Sequence, residues 1–448
     1  MRVYGIVGWK NAGKTTLMER LVAEITGRGF SVSTVKHVHH DVDLDQPGKD
    51  TFRHRQAGAR EVILASAQRF ALMREHRGPE PDLASVLARL APVDLVLVEG
   101  YKRDAHPKVE VFRAGEGRSP IQPSDPTVRA VATDAALAGT GVPLLDLNDP
   151  AAVADFILRE TGLMPVFDKV AIVDWSAAAS PSPARPSADA IWIGIAAAEG
   201  VSTQYLRTRA EAEAVLAALI ETERSAGRRL LIGFDFPMGY PAGFAARLTG
   251  AADARAVWRW LAGQIVDGPA NANNRFEVAA AINRHLGGTP FWGRPAGLTV
   301  PDLPDRKTGG YAALGLTEKR AAERLLPGSQ PVWKLYTTGS VGGQSLTGLP
   351  MIHRLARMAG VAVWPFDAPP APVVLAEVWP SLLADAVRRR MTPGTIRDQV
   401  QVTVLARALW RLDRQGGMAA LLEVPEAARE EGWVLGLGHR EALERALE

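Results

Sequence analysis

Through the first third of the chain, short apolar runs alternate with stretches of helical periodicity. The pattern predicts strands at 3–7, 32–35, 61–65 and 95–98, and helices at 16–28 and 82–90. This is the rhythm of an α/β domain with a mostly parallel sheet. A further helix at 151–160 is entered through Asn148, Asp149 and Pro150, a cap followed by a first-turn proline. Thr161-Gly162-Leu163-Met164-Pro165 then breaks the pattern, which divides the chain into domains at 1–165 and 166–448. The second domain reads as α/β as well, with strands at 170–173, 191–196, 230–234 and 373–378 and helices at 210–226, 277–285 and 397–414. A Pro/Ser/Ala-rich loop at 177–188 is expected to be mobile. The Gly- and Pro-rich stretch 295–347 resists assignment.

The first predicted strand runs directly into Gly8-Trp9-Lys10-Asn11-Ala12-Gly13-Lys14-Thr15, the phosphate-loop pattern G-x-x-x-x-G-K-[ST] in its strand-to-helix setting. Such a turn aims successive backbone N–H groups at phosphate oxygens, and the helix behind it adds its unpaired first-turn donors. The predicted binding set is Gly8, Asn11, Ala12, Gly13, Lys14, Thr15 and Thr16. Lys14 would neutralise the outer phosphates, and the Thr15 hydroxyl is placed to hold Mg2+. The metal also needs an acid at the carboxyl end of a neighbouring strand. Asp94 enters the strand 95–98 and Glu99 leaves it, so Glu99 is the candidate; a turn cap before Gly100 is the plainer role. No Asn-Lys-x-Asp signature is present, so the residues do not disclose the base.

Composition narrows the setting. At 448 residues the chain needs two or three domains. Lys plus Arg (52) against Asp plus Glu (49) leaves a charge of +3, which gives no electrostatic case for nucleic acid or an anionic membrane. There is no cysteine, so disulfides and thiolate metal sites are excluded. No apolar run approaches the ~20 residues of a spanning helix, and a soluble cytoplasmic protein is expected.

A second dense segment holds Lys36, His37, His39, His40, Asp41 and Asp43, followed by Lys49, Arg53 and Arg55. Its histidines and aspartates could bind a metal, although they lack the spacing of a helical zinc site. Lys36, His37, Lys49, Arg53 and Arg55 could instead receive a second phosphorylated ligand, or form a solvated charged surface.

These motifs occur in one order. The phosphate loop is followed by Thr34-Val35-Lys36-His37, by Asp45-x-Pro47-Gly48-Lys49-Asp50, and by Arg53-His54-Arg55-x-Ala57-Gly58-Ala59. Asp94-Leu95-Val96-Leu97-Val98-Glu99-Gly100-Tyr101-Lys102 and Pro107-Lys108-Val109-Glu110-Val111 complete the series. Together they resemble the MobB family over residues 1–165. The resemblance implies a GTP-binding adapter of molybdenum-cofactor maturation that assists the MobA transferase, which joins GMP to molybdopterin. It implies GTP and Mg2+ at Gly13, Lys14, Thr15 and Glu99, with the Lys36 to Arg55 segment for the pterin phosphate or the partner enzyme. It also implies a homodimer and at most weak GTPase activity.

In the second domain, Asp174, Asp235 and Glu377 each end an apolar strand, and Asp398 lies early on the helix 397–414. Acids placed so can converge at one sheet edge and hold two magnesium ions for phosphodiester cleavage. The layout is similar to the RNase H-like superfamily, and 166–448 resembles a little-characterised family of predicted nucleases within it. The supporting pieces are Val173-Asp174-Trp175-Ser176, Asp235-Phe236-Pro237-Met238-Gly239, Asn274-Arg275-Phe276-Glu277 and Glu377-Val378-Trp379-Pro380. The late helix carries Asp398-Gln399-Val400-Gln401, with no second acid beside the first, which departs from full two-metal chemistry. Arg275, Arg294, Lys334 and the stretch 337–344 could contact phosphates or be ordinary loop. Trp258, Trp260 and Trp292 could stack on bases or fill the core. The alternative function is a non-catalytic module that recruits the transferase or a molybdoenzyme.

Overall fold

The computed structural model describes residues 1–38, 43, 45–76, 78, 80–114, 118–137, 139–367, 371–426 and 428–448. His39, His40 and Asp41 of the proposed metal run lie outside the described residues. Contacts divide the chain into two compact units, 1–157 and 158–448. That division falls ahead of the 165/166 boundary read from the sequence.

In the first unit the strands are β1 (Arg2–Gly8), β2 (Val32–Lys36), β3 (Glu61–Ala65), β4 (Phe70–Arg74), β5 (Leu95–Glu99), β6 (Lys108–Phe112), β7 (Val128–Thr133) and β8 (Leu144–Asp146). The helices are α1 (Lys14–Gly27), α2 (Asp50–Gln56), α3 (Leu83–Leu87) and α4 (Pro150–Glu160). The main sheet has the order β2-β5-β1-β6-β7-β8 and is parallel throughout. β1 and β5 are continuous apolar runs because a parallel sheet is covered on both faces. α1 packs on it through Leu17, Met18, Leu21 and Ile25, one helical stripe. The expected capping of α4 is present, with Asp149 Oδ1 accepting from Ala152 N at 3.0 Å.

The strand expected at 61–65 is present but stands outside the parallel sheet. β3 pairs antiparallel with β4 in a separate hairpin. Its turn closes between Ser66 N and Arg69 O at 2.7 Å, far too short for the crossover that a parallel connection requires.

The second unit contains β9 (Lys169–Asp174), β10 (Ile191–Ala197), β11 (Gly200–Leu206), β12 (Leu230–Phe234), β13 (Val361–Trp364) and β14 (Val373–Glu377). Its main helices are α5 (Arg209–Ser225), α6 (Phe244–Thr249), α7 (Ala254–Gln264), α8 (Arg275–Leu286), α9 (Ala321–Arg324), α10 (Gly342–Leu355), α11 (Ala384–Arg390) and α12 (Arg397–Arg414). The sheet order is β11-β10-β9-β12-β14-β13. β11, β10 and β9 are antiparallel, whereas β12, β14 and β13 run parallel to β9.

Alternation along the strands builds two cores. Ala171, Val173, Ile232, Phe234 and Leu375 face the layer of α5, α7, α8 and α10, while Val170, Ile172, Leu231, Val374 and Ala376 face α11 and α12. α12 crosses β10 at Gly194, where a Cβ would lie 2.6 Å from the Val402 carbonyl carbon. Any larger residue there would push the helix off the sheet.

The loop 177–188, expected to be mobile, is tied down instead. Arg207 Nε donates to Ser182 O at 2.8 Å, Arg209 Nη1 to Ala178 O at 2.7 Å, and Tyr205 Oη to Pro183 O at 2.7 Å. Among the described residues, no helix is long and apolar enough to cross a membrane.

Candidate functional site

In the first unit β1 delivers the chain to the carboxyl end of the sheet, and Gly8 to Thr15 turn there into α1. Gly13 caps the helix with φ 97°, a left-handed backbone that a Cβ disfavours, and Asn11 also lies at φ 70°. No side chain caps the helix and its first turn holds no acid, so its amides face outward as an anion site needs. Lys14 Nζ donates to Trp9 O at 2.6 Å. The Thr15 hydroxyl lies 3.5 Å from Glu99 Oε1 across the β1/β5 pair. Two hard oxygen groups facing each other beside a phosphate-binding turn fit Mg2+. Glu99 Oε2 in turn lies 3.5 Å from Lys36 Nζ, its register partner on β2.

The other cations named from the sequence do not gather at the loop. His37 stacks on Tyr101 with centroids 4.4 Å apart, and its Nε2 lies 2.5 Å from Glu80 Oε1. Arg55 was expected to receive an anion, but its guanidinium already meets Asp43 at 2.6 Å, Asp45 at 3.2 Å and Glu75 at 2.6 Å. Three carboxylates leave no room in its donor fork for a ligand. Lys49, the N-cap of α2, and Arg53 on it are exposed, and α2 packs against the hairpin strand β3.

Cations outside the predicted binding set do reach the loop. Lys102, beyond β5, and Arg118, beyond β6, lie over the Trp9 ring at 4.9 and 5.0 Å from its centroid. Arg113 sits against Gly13, where a Cβ would be 3.5 Å from its Nε. The signal available was the alternation of 108–112, a strand whose end must emerge beside the loop.

In the second unit parallel pairing of β9 and β12 sets Val173 opposite Phe234, which brings Asp174 and Asp235 to one edge. Asp235 Oδ1 accepts from Trp175 N at 2.8 Å, and its Oδ2 lies 3.4 Å from Gln344 Nε2. Burial lifts the Asp235 carboxyl to about 7. Asp174 is driven well above the carboxylate range by burial first and then by Asp235, Asp398 and Asp189. Asp398 is raised by burial and is held by the Asp189 amide at 2.8 Å. These acids cannot all ionise together without a cation or a retained proton.

Glu377 departs from its expected role as a metal ligand. Its carboxylate is gripped by Arg320 at 2.5 and 2.8 Å and accepts from Met238 N at 3.0 Å. A buried guanidinium neutralises it, so it is a structural anion. Arg320 also binds Glu323 at 2.9 Å. Among the described residues, no three acidic or histidine side chains close on one point as a metal-holding trio.

A cavity of about 570 Å3 opens over this edge, lined by Asp174, Asp189, Asp235, Arg320, Glu377, Ser340 and Gln344 among others. Of the suggested phosphate contacts, Thr338, Gly339, Ser340, Val341 and Gln344 reach it. Arg294 is spent on the carbonyls of Leu303 and Leu298, and Lys334 on Gln330 and Thr338. Trp258 is core, with Nε1 donating to Met238 O at 2.7 Å.

Comparison with known proteins bears on the first unit. The family described as "Molybdopterin guanine dinucleotide synthesis protein B" (MobB) matches residues 3–134. The "Molybdopterin-guanine dinucleotide biosynthesis adapter protein" of Escherichia coli K12 is 43% identical over 155 residues, 34% of this chain and 88% of that protein. Its namesake in Haemophilus influenzae is 42% identical over 156 residues, 34% of this chain and 85% of that protein. The crystal structure of a MobB homologue from Bacillus stearothermophilus aligns at 34% identity over 36% of this chain and 98% of its own, with a TM-score of 0.28. With its phosphate loop, the facing Glu99 and this identity along nearly the whole of a curated relative, the chain belongs, through its first unit, to the MobB family.

Proposed function

We propose that the first unit is a GTP- and Mg2+-binding adapter of molybdopterin guanine dinucleotide biosynthesis that assists a MobA-like transferase acting on molybdopterin or its phosphorylated derivative. The observation that carries this reading is the uncapped α1 terminus at Gly13 facing Thr15 and Glu99, on a segment 43% identical to an adapter protein. Mg2+ would be held by Thr15 and Glu99 and would offset phosphate charge. A homodimer is supported by the β3/β4 hairpin, which leaves Ile63, Leu64, Phe70 and Leu72 exposed. Calorimetric titration of GTP and ATP with Mg2+ into the intact chain tests the reading. GTP should bind at least tenfold more tightly than ATP, and Lys14→Ala should abolish both; equal affinities would overturn the guanine adapter.

For the second unit, RNase H-like in this reading, we infer metal-dependent hydrolysis of a small phosphodiester at Asp174 and Asp235, with Asp398 beside them. A divalent cation would supply water activation and charge neutralisation there. The observation behind it is two half-buried, desolvated carboxyls at the mouth of a cavity of about 570 Å3, a volume suited to a small molecule. Among the described residues Arg320 is the one cation lining it, and Arg320 is committed to Glu323 and Glu377. Nothing there tracks the backbone of a polynucleotide. Loss of Mn2+-dependent phosphodiester hydrolysis in Asp174→Asn supports the enzyme. Among the described residues no acidic or histidine trio closes on one point, which fits the other reading, a binding module, and wild-type protein inert with both Mg2+ and Mn2+ would leave that one standing.

A further inference from the structure

Trp9 occupies the second position of the phosphate loop, and its ring is fixed by Nε1 donating to Ser119 O at 2.9 Å. β5 and β6 flank β1, so the segments that follow them emerge on either side of the loop. Lys102 comes from the first segment and Arg118 from the second, and both end over one indole. Such contacts stabilise a cation modestly at an exposed site and do not by themselves account for two like charges converging there.

Among the described residues, no local anion pairs with either of them: neither Lys102 nor Arg118 has a carboxylate within ion-pair distance, whereas the neighbouring Arg113 has Asp134 at 2.9 Å. Glu110 bears on Lys102 from a distance but is occupied by the amides of Ile121 and Gln122 at 2.8 and 2.9 Å. Burial, and then the Arg118 charge, hold the Lys102 ammonium below its ordinary range despite the pull of Glu110. The negative charge of a bound anion would offset both effects. The Lys36 to Arg55 segment cannot supply the same site in full, since Arg55 is enclosed by Asp43, Asp45 and Glu75.

We propose that Lys102 and Arg118, braced on Trp9, form an anion site beside the phosphate loop that takes a phosphate group, either the terminal phosphate of the bound nucleotide or a phosphate monoester on a second small ligand. A guanidinium and an ammonium approaching from two loops suit a tetrahedral dianion, the first as a fork and the second as a point charge. The inference rests on the nucleotide reading of the loop, and the test separates the two.

The intact chain, Lys102→Ala and Arg118→Ala are titrated calorimetrically with GTP and with GDP, and the GTP-loaded proteins with inorganic phosphate. Thermal unfolding checks that the variants fold. If the site takes the nucleotide's terminal phosphate, the ratio of GTP to GDP affinity falls at least tenfold in each variant while GDP affinity holds. If it takes a second ligand's phosphate, that ratio is unchanged and phosphate binding to the GTP-loaded chain weakens at least tenfold. Variants that match wild type in both measurements overturn the site. Should wild type bind no nucleotide, the nucleotide reading fails, and inorganic phosphate is titrated into the nucleotide-free chain. Binding there that Lys102→Ala and Arg118→Ala remove, and Lys14→Ala does not, supports the site; its absence overturns it.

Discussion

Replacing Asp235 by Asn should make the second unit more stable than wild type by a margin that grows as pH rises, although it deletes a proposed ligand. The Asp235 carboxyl is lifted from an ordinary 3.8 to about 7, chiefly by burial. The folded chain therefore keeps a proton that the unfolded chain releases near pH 4. That stabilisation is complete below 3.8 and lost progressively as pH climbs through about 7. About three pKa units correspond to ~4 kcal/mol between the two limits. Asn cannot ionise, its Oδ1 can still accept from Trp175 N, and its neutrality relieves Asp174 of a like charge. The assay is thermal unfolding from pH 4 to 8.5, with and without millimolar Mn2+. The variant-minus-wild-type difference in Tm should grow by about 6 °C across that range, given the entropy of unfolding a unit of this size. If the proposed metal site is right, Mn2+ should raise wild-type Tm at pH 8 and leave the variant unmoved, since binding there would need both carboxylates. A difference that stays flat with pH would refute the protonated-pair account.

Arg320→Gln should destabilise the second unit by about 3–5 kcal/mol in urea unfolding, because it strands Glu377 and Glu323 in the interior. Thr15→Val and Glu99→Gln should each weaken GTP binding about tenfold in the presence of Mg2+ and by less than twofold in EDTA, measured calorimetrically; equal losses in both would remove them from the metal's coordination. Ile63→Lys with Phe70→Lys, on the exposed hairpin, should convert a dimer to a monomer in sedimentation at micromolar concentration while GTP affinity holds.

What was legible in the sequence depended on how local the determinants are. The phosphate loop is a contiguous pattern, and 230–234 and 397–414 match β12 and α12 because an uninterrupted apolar run or stripe marks each. The alternation of 108–112 marks β6 as a half-buried strand at most, yet Lys108 and Glu110 are fully buried along with its apolar residues. The Lys108 ammonium is satisfied by His106 O and Thr127 Oγ1, and Glu110 by two loop amides, partners that periodicity cannot reveal. The acids of the second unit make the point most sharply. Asp174, Asp235 and Glu377 share one local signature, an acid at the end of an apolar strand, and that signature correctly puts all three at the same edge of the sheet. It says nothing of the charge each one faces. Burial and the facing Asp235 push Asp174 toward protonation, whereas Glu377 meets Arg320, 57 residues away in the chain, in a bidentate ion pair. Within this sheet, then, a strand-end acid is a candidate ligand where the neighbouring strand supplies another acid. When the fold supplies a buried arginine instead, the same residue anchors the wall of the cavity rather than its chemistry.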